Sequence, residues 1–176
     1  MARGLVHFYF GDGKGKTTAA LGLALRAAGC DKNVIIVQFL KDWKCGEIQS
    51  LSHLPNVHVL RGKSSGGSFV FEMTDEEKDE TKNIHDKNLE AAIEFQNKGQ
   101  CDLLVLDEVV DAYSLSLLDS TLFEELLSNK PEALELVLTG HEFNEFVCEH
   151  ADYVTKMKKI KHPFDLGIPA RRGVEF

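Results

Sequence analysis

Residues 11–18 read GDGKGKTT, three glycines alternating with Asp12, Lys14 and Lys16 ahead of Thr17 and Thr18. Gly11, Gly13 and Gly15 let a backbone curl with its N–H groups turned inward, and a helix starting where the curl ends adds positive potential. Lys16 contributes a point charge and Lys14 a second, while the Thr17 hydroxyl suits a magnesium ion. These are the parts of a polyphosphate cradle. The spacing departs from the usual phosphate loop, G-x-x-x-x-G-K-[ST], because Phe10 stands where the first glycine belongs. A tight strand-to-helix turn with exposed lysines would use the same glycines but gives no reason for the Lys-Thr-Thr that follows them.

A second candidate lies in LLVLDE, where four apolar residues run into Asp107 and Glu108. Alone, an acidic pair closing a strand reads as a turn or a helix cap. Beside Lys16 and Thr17 it reads as a buried strand delivering a carboxylate to a magnesium shell, directly or through water. We therefore expect Thr17 and Glu108 to hold the metal.

The elements that must position these groups follow from the apolar runs. Residues 5–10, 34–40, 57–61, 103–106 and 134–139 are short, almost uninterrupted apolar segments, as expected of parallel strands covered on both faces. Helices are predicted at 17–28 with Gly29 as its cap, at 75–98 with acidic residues in its first turns, at 120–127, and at 142–150. Alternating β and α elements predict an α/β domain of mostly parallel sheet with helices on both faces, ligands meeting the carboxyl ends of the strands. Residues 62–68 (GKSSGGS) read as a surface loop.

The length of 176 residues fits one domain, 1–176, with a core that needs no disulfide. The net charge of −8 argues against nonspecific nucleic-acid binding, since no overall cationic field displaces phosphate counterions. Cys30, Cys45, Cys101 and Cys148 show no zinc-ligand spacing and read as free thiols. No run approaches the roughly 18 apolar residues of a membrane span, and a cytoplasmic location is expected.

GDGKGKTTAALGLALRAAG, VIIVQFLK, LVLDE, LTG and the C-terminal KHPFDLGIPARRGVEF, in that order, resemble the ATP:corrinoid adenosyltransferases of the bacterial cobalamin-salvage type, over about residues 6–176. The resemblance implies a RecA-like P-loop fold and attack of a reduced cob(I) corrinoid, cobalamin or cob(I)yrinic acid a,c-diamide, on the ribose C5′ of ATP. A cobalt–carbon bond forms and the whole triphosphate leaves, with Mg²⁺ or Mn²⁺ present. It implies ATP held by Gly11, Asp12, Gly13, Lys14, Gly15, Lys16, Thr17 and Thr18, with Lys16 and Glu108 catalytic and Phe69 and Phe71 against the corrinoid, where they help displace its lower axial ligand. It also implies a homodimer and a reduced flavoprotein as electron donor.

The chain departs from the family pattern in three places. Phe71 stands where tryptophan is common and His141 where arginine often follows Thr139-Gly140. The family's N-terminal extension over the active site has no counterpart here, so the lid is absent or supplied elsewhere. Phe69 and Phe71 would also suit an edge strand packing both rings into the core. His162 and Phe164 read equally as corrinoid contacts or as a proline-directed turn, and Asp165, Arg171 and Arg172 as tail charges. A general P-loop ATPase or phosphotransferase, and a corrinoid or nucleotide carrier without turnover, are the competing readings.

Overall fold

The computed structural model describes residues 3–41, 46–62 and 70–175. Six strands, β1 (Val6–Phe10), β2 (Val34–Gln38), β3 (Val57–Leu60), β4 (Leu103–Asp107), β5 (Glu135–Thr139) and β6 (Tyr153–Lys156), form one sheet in the order β3-β2-β4-β5-β1-β6. Every pairing is parallel, so all six carboxyl ends lie along one edge.

Because side chains alternate across a strand, each apolar run feeds two cores. Val34, Ile36, Leu103, Val105 and Val137 face α1 (Lys16–Ala28) and α2 (Gly46–Leu51), with Ala20, Leu21 and Ala24 of α1 buried against them. Phe8, Ile35, Val37, Leu104, Leu106, Leu136 and Leu138 face the other way. They meet α3 (Asp75–Asn97), α4 (Val109–Ser114), α5 (Ser120–Ser128) and α6 (Glu145–His150). Truncating any of these leucines to alanine would cost about 2–5 kcal/mol.

Local signals set the helix starts. Thr74 accepts from Glu77 N–H at 3.2 Å while the Glu77 carboxylate accepts from Thr74 N–H at 2.8 Å, a reciprocal cap at the acidic start of α3. Asp119 and Asn144 cap α5 and α6 one way, their side chains accepting from Leu122 N–H and Val147 N–H. Gly29 closes α1, but in right-handed conformation at φ −68.

All five expected strands and four expected helices are present, with ends that coincide or shift by at most three residues. Three elements went unforeseen: α2, α4 and β6. The alternative of an edge strand packing Phe71 into the core does not hold, because Val70–Glu72 is a one-turn 3₁₀ helix and Phe71 is 83% exposed. Phe69, Cys45 and residues 63–68 of the expected surface loop lie outside the described residues. Cys30, Cys101 and Cys148 are free thiols. Among the described residues no helix is long and apolar enough to cross a membrane.

Candidate active site

β1 ends in the glycine curl and α1 begins at Lys16, so the GDGKGKTT segment bridges strand and helix. Gly11 and Gly15 take φ values of 114° and 112°, a conformation costly for any side chain. The glycines serve a second purpose, because the segment after β6 packs directly on the loop. A Cβ on Gly11 would collide with the Met157 carbonyl, and one on Gly13 would lie 2.7 Å from it. Gly13 N–H instead donates to Met157 O at 2.7 Å and Gly11 N–H to His141 O at 2.9 Å.

Past those two anchors the backbone is open. Among the described residues, the N–H groups of Lys14, Gly15, Lys16, Thr17 and Thr18 have no acceptor, and all five residues line one cavity of about 330 Å³. Lys16, Thr17, Lys41, Glu108, Thr139 and His141 share it. Lys16 Nζ donates to the loop's own carbonyls, Gly11 O at 2.6 Å and Gly13 O at 3.0 Å. Burial pushes its pKa down, while Asp111, Glu108 and Asp12 favour the charged form. Asp12 turns away from the cavity, its carboxylate accepting from Lys159 N–H at 3.1 Å, and that bond holds its pKa below the usual carboxylate range.

The sheet register brings the second cluster to the loop. β2 pairs with β4 so that Gln38 stands opposite Asp107, and β5 brings Thr139 alongside. Asp107 is wholly buried and fully engaged. Its Oδ1 accepts from Thr17 Oγ1 at 2.8 Å and Thr139 Oγ1 at 2.9 Å, and its Oδ2 from Gln38 Nε2 at 3.2 Å and Lys41 Nζ at 2.6 Å. Glu108 follows with a left-handed backbone, φ 62, pinned by its N–H to Thr139 Oγ1 at 2.7 Å. That turn carries its side chain into the cavity. Burial pushes the Glu108 pKa up against the pull of Lys41.

The structure thus brings Lys16, Thr17 and Glu108 together as expected and adds Asp107, Thr139 and Lys41. Lys41 Nζ lies 2.9 Å from Thr17 Oγ1 and 3.1 Å from Glu108 Oε1 as well as on Asp107. In the sequence it is a single lysine after a strand, and only the β2–β4 pairing shows where it points. The donor set suits a cation, since three oxygens from three elements already converge on one positive centre. Among the described residues no cluster of three or more His, Cys, Asp or Glu side chains forms a metal site by itself.

The cavity rim holds His141, whose Nδ1 is 2.9 Å from Asp111 Oδ2. That hydrogen bond holds the His141 pKa above the ordinary histidine value. The chain's last described residues form the opposite wall. Val174 and Glu175 line the cavity, with Arg171 Nη2 2.9 Å from Glu175 Oε1. Arg171 holds the Glu175 pKa down to about 2. An adjoining, more apolar cavity of about 530 Å³ runs between α1 and α2, with Thr18, Leu21, Leu51 and Val174 among its walls. His162 accepts from Phe164 N–H at 3.2 Å, and Asp165 pairs with Lys159 at 3.1 Å, so both act within the tail itself.

Known proteins place this arrangement. The fold resembles the EssC ATPase 2 and 3 structure from Geobacillus thermodenitrificans, with a TM-score of 0.52 at 12% identity, over 97% of this chain and 35% of that one. Corrinoid adenosyltransferase CobA of Salmonella typhimurium is 31% identical over 99% of this chain and 86% of its own length. The corrinoid adenosyltransferase of Sinorhizobium sp is 33% identical over 99% of this chain and 81% of its own. The family model described as ATP:corrinoid adenosyltransferase BtuR/CobO/CobP matches residues 2–176, and the chain belongs to that family, whose reaction moves the adenosyl group of ATP onto a corrinoid.

Proposed function

We propose that residues 11–18 hold the triphosphate of ATP as a leaving group while a cob(I) corrinoid attacks the ribose C5′. The observation that carries this reading is the row of five N–H groups from Lys14 to Thr18 that have no acceptor among the described residues, at the cavity shared with Lys16, Thr17 and Glu108. As the cobalt–carbon bond forms, the C5′–oxygen bond breaks and its electron pair goes to the triphosphate. Negative charge grows there, where preoriented N–H dipoles stabilise it without rearranging at that moment.

Lys16 would exchange its bonds to Gly11 O and Gly13 O for phosphate oxygens. Asp12 offers the ligand at most its backbone, because its carboxylate is committed to Lys159. Thr17 and Glu108, with Asp107 behind them, would hold Mg²⁺ or Mn²⁺, which when bound neutralises charge on the departing triphosphate. Thr139 fixes the Glu108 backbone and so aims its carboxylate. No protein nucleophile is required, since the cobalt fills that role.

Phe71, on its 3₁₀ turn and 83% exposed, is proposed as an apolar contact for the corrinoid, together with Phe69. The exposed Tyr153 and Val154 of the edge strand β6, and Phe164 and Leu166 beyond it, support a homodimer as the assembly. A reduced flavoprotein would supply the electron for cob(I), and cob(I)alamin or cob(I)yrinic acid a,c-diamide is the proposed acceptor. The net charge of −8 supports the absence of a nucleic-acid role.

An anaerobic assay with ATP, Mg²⁺ and chemically reduced cob(I)alamin tests the reading. The expected products are adenosylcobalamin and intact triphosphate in equal amounts. ADP and phosphate without a cobalt–carbon bond would instead assign a γ-phosphate reaction, and binding without product would assign a carrier.

A further inference from the structure

Lys41 is held where it is by deliberate backbone geometry. Leu40, just before it, is left-handed at φ 56, and its N–H donates to the buried His85 Nε2 at 3.2 Å. Arg61 Nη2 donates to Lys41 O at 3.3 Å. The Lys41 side chain is only 8% exposed, and its ammonium touches Asp107 Oδ2, Thr17 Oγ1 and Glu108 Oε1. Thr17 and Glu108 are the residues assigned above to the metal, and Asp107 stands behind them.

We propose that Lys41 is a built-in counter-ion that fills the metal position in the nucleotide-free protein and gives way only when the metal arrives with a triphosphate. The proposal rests on the reading that a divalent ion accompanies the triphosphate at Thr17 and Glu108. Asp107 is wholly buried, and a buried carboxylate without a cation is strongly destabilising. Lys41 supplies that cation from within the chain.

A metal ion entering alone would have to pull this ammonium off Asp107 and Glu108, leaving it only the more distant carboxylates of the cavity wall, Glu47 and Glu175. A divalent ion and an ammonium competing for the same oxygens repel each other strongly. A triphosphate changes the balance, because Lys41 lines the same cavity and its displaced ammonium then meets phosphate oxygens. Metal and triphosphate binding are thereby coupled, and the coupling is reciprocal.

The test is Mn²⁺ binding by equilibrium dialysis, with and without inorganic tripolyphosphate on both sides, counting the metal held in excess on the protein side. Wild type is expected to bind Mn²⁺ weakly alone and much more tightly with tripolyphosphate. Lys41→Met is expected to bind Mn²⁺ alone at least roughly tenfold tighter than wild type, and to gain thermal stability from it. Lys41→Gln keeps an N–H donor for Asp107 and should behave alike if the methionine variant does not fold. Equal Mn²⁺ affinities in wild type and variant without tripolyphosphate would overturn the proposal alone. So would tight Mn²⁺ binding by wild type without tripolyphosphate. Failure to bind Mn²⁺ even with tripolyphosphate would overturn the metal reading and the proposal with it.

Discussion

Lys16 illustrates how a single side chain can be stored ready for use. Its ammonium satisfies two loop carbonyls at 2.6 and 3.0 Å, so the loop keeps its curl before any phosphate arrives. Lys16→Ala is expected to lower kcat by on the order of 10²–10³, with a smaller change in ATP affinity, because the lost contact strengthens as the leaving group gains charge. Single-turnover formation of adenosylcobalamin checks this, and near-normal turnover would remove Lys16 from the chemistry. His141 makes a pH-dependent contribution at the rim. Its folded pKa is raised by Asp111, so it is cationic below that value and loses its charge as pH rises through it. Tripolyphosphate should bind more weakly as pH is raised from about 6 to about 8. His141→Ala should flatten whatever part of that slope is due to the protein, as calorimetric titration of both proteins would show.

Among the secondary elements, the turn after β2 and the facing helix α3 work as one device. His85 of α3 is buried, with Nδ1 2.8 Å from Leu117 O and Nε2 accepting from Leu40 N–H. This arrangement requires the neutral ring, and burial lowers its pKa. A lowered folded pKa means that the unfolded chain takes up the proton first. Stability from His85 is therefore complete above about pH 6.5 and lost as pH falls below it. Urea unfolding between about pH 7 and about pH 5 should show a steeper acid loss in wild type than in His85→Gln.

The same elements explain what the sequence could convey. Five strands are readable because residues such as Val34, Ile35, Ile36 and Val37 are buried on both faces, leaving uninterrupted apolar runs. β6 is not, because all four of its residues are exposed at the sheet edge and carry no burial pattern. Six-residue helices such as α2 and α4 are too short for periodicity to register. For Phe71 the alternation of two aromatics left a strand open as an alternative, and only the fold shows that the chain turns there in a single 3₁₀ step. At the site, the glycine loop, Lys16, Thr17 and Glu108 could be inferred from local spacing. Lys41 and the fourfold engagement of Asp107 could not, since they depend on which strand lies beside which.

Taken as one body, the protein walls its glycine-loop cavity with segments far apart in the chain. β1 and the glycine loop come first in the chain, while β6, Met157 and the Arg171–Glu175 turn come last. Val174 and Glu175 wall the loop cavity, and Val174 also walls the apolar cavity beside it. A variant ending at Ala170 is expected to keep its circular dichroism but to bind ATP about tenfold more weakly, in line with the loss of one aliphatic wall residue. Unchanged affinity in equilibrium titration would show that the tail merely rests there.

The contact between Gly13 and Met157 also sets a timetable for the molecule. A chain emerging from a ribosome makes its glycine loop 144 residues before the carbonyl on which that loop leans. Long-range parallel pairings of this kind form late, after the cost of closing the intervening loop has been met. Nascent and partly folded forms would therefore leave cellular ATP alone, and competence to bind it would arrive together with completion of the fold.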